Sequence, residues 1–146
     1  MGRTLKKVVV DTYALIAKAT GEITERADRC LKDIREGRIL GVIHPLILYE
    51  FLLQIYRGRI PIFKSADEAL EFLKTYFSII NLENNIVSMA AEIRYKSEEL
   101  LVKLKRHLSV CDSITIAIAK HIESPILSGD LDLKSVAKKE NIKVIW

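Results

Sequence analysis

The sequence predicts an α/β protein with a parallel central sheet flanked by helices. Two observations carry that class. Short apolar runs of strand length (KVVV, ILGVI, SIINL, PILS and KVIW) alternate with longer stretches whose apolar residues recur at helical spacing. The chain has 146 residues, 49 % of them hydrophobic, with no repeat, low-complexity tract or linker, so a single domain spanning 1–146 is expected.

KVVV (7–10) reads as a short buried strand, and 12–19 as a short helix that Gly21 ends. Residues 22–36 form an amphipathic helix through Ile23, Ala27, Cys30, Leu31 and Ile34, with Gly37 as its stop. ILGVI (39–43) is the second strand. Pro45 suits the first turn of a helix over 45–57, which Gly58 and Pro61 close. Ser65 and Glu68 have the spacing of a capping box, and Leu70, Leu73, Tyr76 and Phe77 continue that helix. SIINL (78–82) is a third strand, followed by a long helix over 86–106. Ser109 opens a helix over 110–121 that is apolar on most sides, as one buried between layers would be. PILS (125–128) and KVIW (143–146) are the last strands, with a helix over 133–140 between them.

Composition excludes several classes. The apolar runs are far shorter than a membrane span and are interrupted by charges. The basic start MGRTLKK leads into VVV, which ends at once in Asp11, so no secretory leader is expected and the chain is placed in the cytoplasm. Cys30 and Cys111 then read as small buried hydrophobes, not a disulfide, and the isolated His44, His107 and His121 show no zinc spacing. The net charge of +4 mildly favours an anionic partner.

The acids are the informative residues. Asp11 directly follows a strand, where functional groups of parallel sheets gather; on local evidence it reads first as the N-cap of the next helix. Glu50 sits in an apolar helix, either on a polar edge with Tyr49, Gln54 and Arg57 or buried with a partner. Asp112 follows Ser109 at capping-box spacing and is the only acid from Leu108 to Ile122. Asp130 and Asp132 follow the PILS strand; Gly129 permits a tight turn there, and Asp132 suits the N-cap of the last helix, which leaves Asp130 in need of another explanation. Carboxylates converging on one point repel and hold protons unless a divalent cation joins them. Oxygen-only ligands favour magnesium or manganese, a chemistry suited to phosphodiester hydrolysis.

Four segments in order, VVVDTYALIA (8–17), IHPLILYEFLLQIYR (43–57), LSVCDSITIAIAK (108–120) and ILSGDLDL (126–133), resemble the PIN-domain nucleases, most closely the single-domain VapC-type toxins of toxin–antitoxin pairs. The likeness spans essentially the whole chain. It departs from the usual Thr-x-Asp-x-Asp-Phe turn at Ser128 and Leu133. It implies a PIN-like fold and an acidic quartet of Asp11, Glu50, Asp112 and Asp130 holding Mg2+ or Mn2+. Asp132 matches a second, less regular acid, and which of Asp130 and Asp132 faces the metal stays open. Thr12 and Ser128 fall at the family's supporting hydroxyls. The resemblance also implies RNA as substrate, a homodimer and inhibition by a small VapB-type antitoxin. Arg94, Lys96, Lys103, Lys105, Arg106 and His107, with Arg57 and Arg59, are candidates for RNA phosphates; a solvated helix end explains the first group equally well.

Two other readings keep the fold. One is a PIN-type nuclease of RNA processing or ribosome maturation, the other a non-catalytic RNA-binding module. The four acids speak against the second. A phospho-accepting receiver would want paired acids after the first strand, where Thr12 and Tyr13 stand instead.

Overall fold

The computed structural model describes residues 5–146. Five strands, β1 (Lys6–Val10), β2 (Ile39–Ile43), β3 (Ser78–Ile79), β4 (Ile126–Leu127) and β5 (Val144–Ile145), form one sheet in the order β3-β2-β1-β4-β5. All four pairings are parallel, with Val9 opposite both Val42 and Ile126. Seven α-helices surround it: α1 (Thr12–Thr20), α2 (Glu25–Arg35), α3 (Pro45–Tyr56), α4 (Ala66–Tyr76), α5 (Asn84–Leu101), α6 (Val110–His121) and α7 (Leu131–Lys139).

The period-two alternation of the strands splits the core in two. Val8, Val10, Ile43 and Leu127 pack beneath α1–α4. Val9, Val42 and Ile126 face α5–α7. The chain therefore winds from β1 outward to β3 with its helices on one face, then crosses to β4 with its helices on the other. The strand order reverses between β1 and β4, and the crevice above the carboxyl ends of such a pair is where this architecture builds sites. Asp11 and Ser128 are the first residues past those two ends.

Local chemistry explains most boundaries. Gly21 takes the left-handed conformation that closes α1 (φ 76°), and its N–H bonds the last carbonyls. Ser65 Oγ accepts from Glu68 N–H, as capping-box spacing predicts, but Glu68 reaches Lys64 N–H, one residue before the cap. The differences from the sequence reading fall at ends. β3 is shorter than 78–82 because, at the sheet edge, Ile80 N–H makes a last bond to Ile43 O and the chain then turns away. The helix expected over 86–106 stops at Leu101; a 3-10 turn (Val102–Leu104) follows and Lys105 turns left-handed (φ 52°). Helix α7 starts two residues early because its N-cap is Asp130, whose Oδ1 accepts from Leu133 N–H at 2.9 Å; the expectation that Asp132 caps it is corrected. Among the described residues no helix is long and apolar enough to cross a membrane.

A candidate metal-dependent active site at the switch point

Asp11 anchors the site. It is 3 % exposed, and both carboxylate oxygens are held: Oδ1 accepts from Thr12 N–H at 2.8 Å and Oδ2 from the Ser128 hydroxyl at 2.8 Å. It is thus both the N-cap of α1 and a buried acid at a strand end. The Thr12 hydroxyl donates to Glu50 Oε1 at 2.7 Å, which ties α3 to the start of α1. Asp130 N–H donates to Ser128 Oγ at 3.1 Å, which ties the α7 cap to β4. Ser109 caps α6 by accepting from Asp112 N–H at 3.0 Å, leaving the Asp112 carboxylate free of that duty. Both expected hydroxyls therefore touch the acids.

The starts of α1, α6 and α7 and the middle of α3 so deliver Asp11, Asp112, Asp130 and Glu50 to one place, where Asp112 feels the charge of the other three. Burial pushes Asp112 up to about 8, helped by the charges of Asp11, Asp130 and Glu50 and opposed by the Ser109 hydrogen bond. Burial likewise lifts Asp11 to about 6; the Ser128 and Thr12 hydrogen bonds pull against it, and Asp130 and Glu50 add repulsion. Asp132 turns elsewhere. Its Oδ1 lies 3.2 Å from Arg106 Nε, an ion pair without hydrogen-bonding alignment. Of the two late acids, Asp130 is the one coupled to the cluster.

No three His, Cys, Asp or Glu side chains among the described residues converge closely enough to cage a metal ion unaided. The donor set fits magnesium on other grounds. That ion keeps several waters and takes one or two carboxylates plus substrate phosphates, and the raised proton affinity of buried Asp11 and half-buried Asp112 is what a cation's charge would relieve.

Of the basic candidates, half-buried Arg94 joins Arg106 and His107 in lining a cavity of about 250 Å³ between the end of α5 and the start of α6, next to Asp132. Lys103 and Lys105 are exposed on the adjoining turn, while Lys96 pairs with Glu92 along α5. Arg57 and Arg59 stand past the far end of α3, with Arg59 bonded to Gln54.

Sequence reasoning missed a buried polar group behind the acids. His44 is fully buried; its Nε2 lies 2.9 Å from Thr115 Oγ1 and 4.0 Å from Cys111 Sγ. Burial lowers His44 to about 4 and raises the Cys111 thiol, which also feels Glu50. The only hint in the sequence was a histidine between strand and Pro45. Gly129 is required for space: a Cβ there would come 2.5 Å from Trp146 and 2.6 Å from Tyr13, so the tight-turn reading is replaced by close packing. Gly129→Ala is expected to cost about 1–3 kcal/mol in a thermal melt as those rings are forced aside.

An apolar groove of about 410 Å³ opens among α1, α2 and α4, lined by Leu15, Leu31, Ile62, Phe63, Phe72 and Tyr76 and rimmed by Lys18, Lys32 and Arg35.

Solved structures share this fold at low identity. VapBC2 of Rickettsia felis, crystallised with a promoter DNA fragment, matches 94 % of this chain and 96 % of its own at 12 % identity and TM-score 0.66. VapC20 of Mycobacterium tuberculosis, a toxin that cleaves the sarcin–ricin loop, matches 88 % and 93 % at 17 % identity and TM-score 0.62. FitAcB of Neisseria gonorrhoeae matches 94 % and 95 % at 17 % identity and TM-score 0.64. No curated protein matches the sequence. The PIN-domain family model matches residues 8–139, and with the acids gathered at the β1–β4 switch point the chain belongs to the PIN-domain family.

Proposed function

We propose that this protein is a metal-dependent endoribonuclease, acting in the cytoplasm as the toxin of a type II toxin–antitoxin pair. The observation that carries the reading is the convergence of four acids from four separate elements: Asp11 is linked to Glu50 through Thr12 and to Asp130 through Ser128, and Asp112 feels the charge of all three. Asp11 and Asp130 also cap helices, but capping needs neither the convergence of four acids nor a negative field with no cation beside it. Asp11, Glu50, Asp112 and Asp130 would hold Mg2+ or Mn2+, with Asp132 at the margin beside Arg106. When bound, the cation supplies charge neutralisation at the scissile phosphate and a more acidic water.

The chain's own residues do the rest. Ser128 and Thr12 N–H fix the Asp11 carboxylate, and the Thr12 hydroxyl fixes Glu50, so both face the crevice in one orientation. Arg94, Arg106 and His107, with Lys103 and Lys105, offer the RNA backbone a cationic approach beside the acids. Arg57 and Arg59 are more distant candidates. The apolar groove suits the apolar face of a partner helix, the recognition mode a VapB-type antitoxin would use, and the same nuclease domain would act as a homodimer. The likeness to VapBC complexes supports this reading over an RNA-processing or ribosome-maturation nuclease.

The test is cleavage of a panel of structured and single-stranded RNAs by purified protein in Mg2+, Mn2+ or EDTA. Cutting with either metal and none in EDTA is expected. Binding of the same RNAs without cutting would instead establish a non-catalytic RNA-binding module, and harmless expression of an active nuclease would favour the RNA-processing role.

A further inference from the structure

His44 follows β2 directly and starts the helix that carries Glu50, six residues on. Thr115 lies one turn after Asp112 on α6. The two side chains meet at 2.9 Å, both fully buried, joining positions 71 residues apart. The bond's direction is assigned from the Thr115 hydroxyl. Thr115 has one hydroxyl proton and donates it to Cys111 O at 3.0 Å, so Thr115 Oγ1 accepts and His44 Nε2–H donates. Nδ1 then carries a lone pair, and it is this atom that is buried without a partner. A neutral Nε2-protonated imidazole satisfies the geometry, and an orphaned acceptor is tolerated more readily than an orphaned N–H.

Helix α3 packs chiefly on α4 and α1, and α6 on α5, so these two helices are not each other's main support. Yet they carry two of the mutually repelling acids. We infer that the His44–Thr115 hydrogen bond is a strut that sets the separation of Glu50 and Asp112, making His44 a positioning residue for the cation. The inference rests on the metal-dependent reading of the site. Without the strut, α3 and α6 lose this buried side-chain tie, the two acids are free to move apart, and cation binding must restore their spacing.

Mn2+ binding measured by calorimetry at pH 7, with melting temperature followed alongside, tests this without recourse to activity. His44→Leu and Thr115→Val, which remove one partner each at similar volume, are expected to weaken Mn2+ binding about three- to tenfold, the span of one buried hydrogen bond. The double variant should be no weaker than the poorer single one, because both remove the same bond. His44→Gln, whose amide nitrogen reaches as Nε2 does, and Thr115→Ser should stay within about twofold of wild type. If His44→Leu does not fold, Thr115→Val with its serine rescue decides alone. Lowered melting temperatures with wild-type Mn2+ affinity would overturn the strut and leave a purely structural bond; additive losses would overturn it too. A wild-type protein that takes up no Mn2+ would overturn the metal reading itself, and the strut with it.

Discussion

Asp112→Asn is expected to abolish RNA cleavage and, in the same protein, to raise the melting temperature measured in EDTA at pH 8. The two effects share one cause. Burial, with the like charges of Asp11, Asp130 and Glu50 added, holds the Asp112 carboxyl up to about 8, so at neutral pH the folded chain resists the charge that a cation would need there. Asparagine keeps the shape and the backbone bond to Ser109 Oγ while removing the charge. Removing both the desolvation cost and the repulsion shared with Asp11, Asp130 and Glu50 should stabilise the metal-free fold by about 2–4 kcal/mol, about 5–15 °C for a chain of this size. Cleavage should fall about a thousandfold, the several kcal/mol a bound cation supplies. Asp11→Asn should lose cleavage as completely, but with less gain in stability, because Asp11 also accepts the Ser128 and Thr12 bonds. Asp132→Asn, which touches only the Arg106 ion pair, should lose no more than about tenfold. Wild-type-like cleavage by both Asp11→Asn and Asp112→Asn would remove these acids from the mechanism. An Asp112→Asn protein that cuts nothing but melts no higher than wild type would show that the acid is not held against its own charge.

Much of this was legible in the sequence because it is local. Apolar runs of strand length, Gly21, Pro45 and the serines at 65 and 109 report on their own neighbourhoods, and each marks an element or a boundary the fold keeps. Asp11, Asp112 and Asp130 were legible for a related reason: residues at strand ends and helix starts are placed by the sheet once its direction of winding is known, whereas Glu50 stood out as an acid inside an apolar helix. What escaped is what only tertiary contact creates. Sequence alone favours Asp132 as the helix cap and leaves Asp130 unexplained; the fold reverses this because Ser128 holds the Asp130 backbone while Arg106, 26 positions before Asp132, pairs with that side chain. His44 looked isolated because its partner is on another helix. Gly129 looked like a turn residue because nothing nearby announces that Trp146 and Tyr13 close over it. The short β3, β4 and β5 were overextended for the same reason, since strand length depends on how much ladder the neighbour offers.

In EDTA, wild-type stability is expected to fall between pH 6.5 and 8, and Mg2+ should cancel that fall. An acid whose folded pKa is raised costs nothing below its unfolded value, where both states are protonated, and its penalty grows as pH rises toward the folded pKa. For Asp11 that window runs from about 4 to about 6, and for Asp112 from about 4 to about 8. His44 acts in the opposite sense: its folded pKa is lowered to about 4, so the stability its neutral form contributes is complete above 6.5 and lost on acidification toward 4. Below pH 6.5 the two trends oppose each other; above it His44 is silent and Asp112 dominates. Over that upper window the metal-free protein should lose about 1–2 kcal/mol, seen as a falling melting temperature, while Asp112→Asn stays flat. Because a cation competes with the proton for the same oxygens, the rise in melting temperature on adding Mg2+ should be larger at pH 8 than at pH 6.5. An equal Mg2+ effect at both pH values would mean the ion does not bind where the proton does. A metal-free melting temperature that rises from pH 6.5 to 8 would mean that Asp112 is already ionised and paired in the fold, and the charge coupling that supports the nuclease reading would be gone.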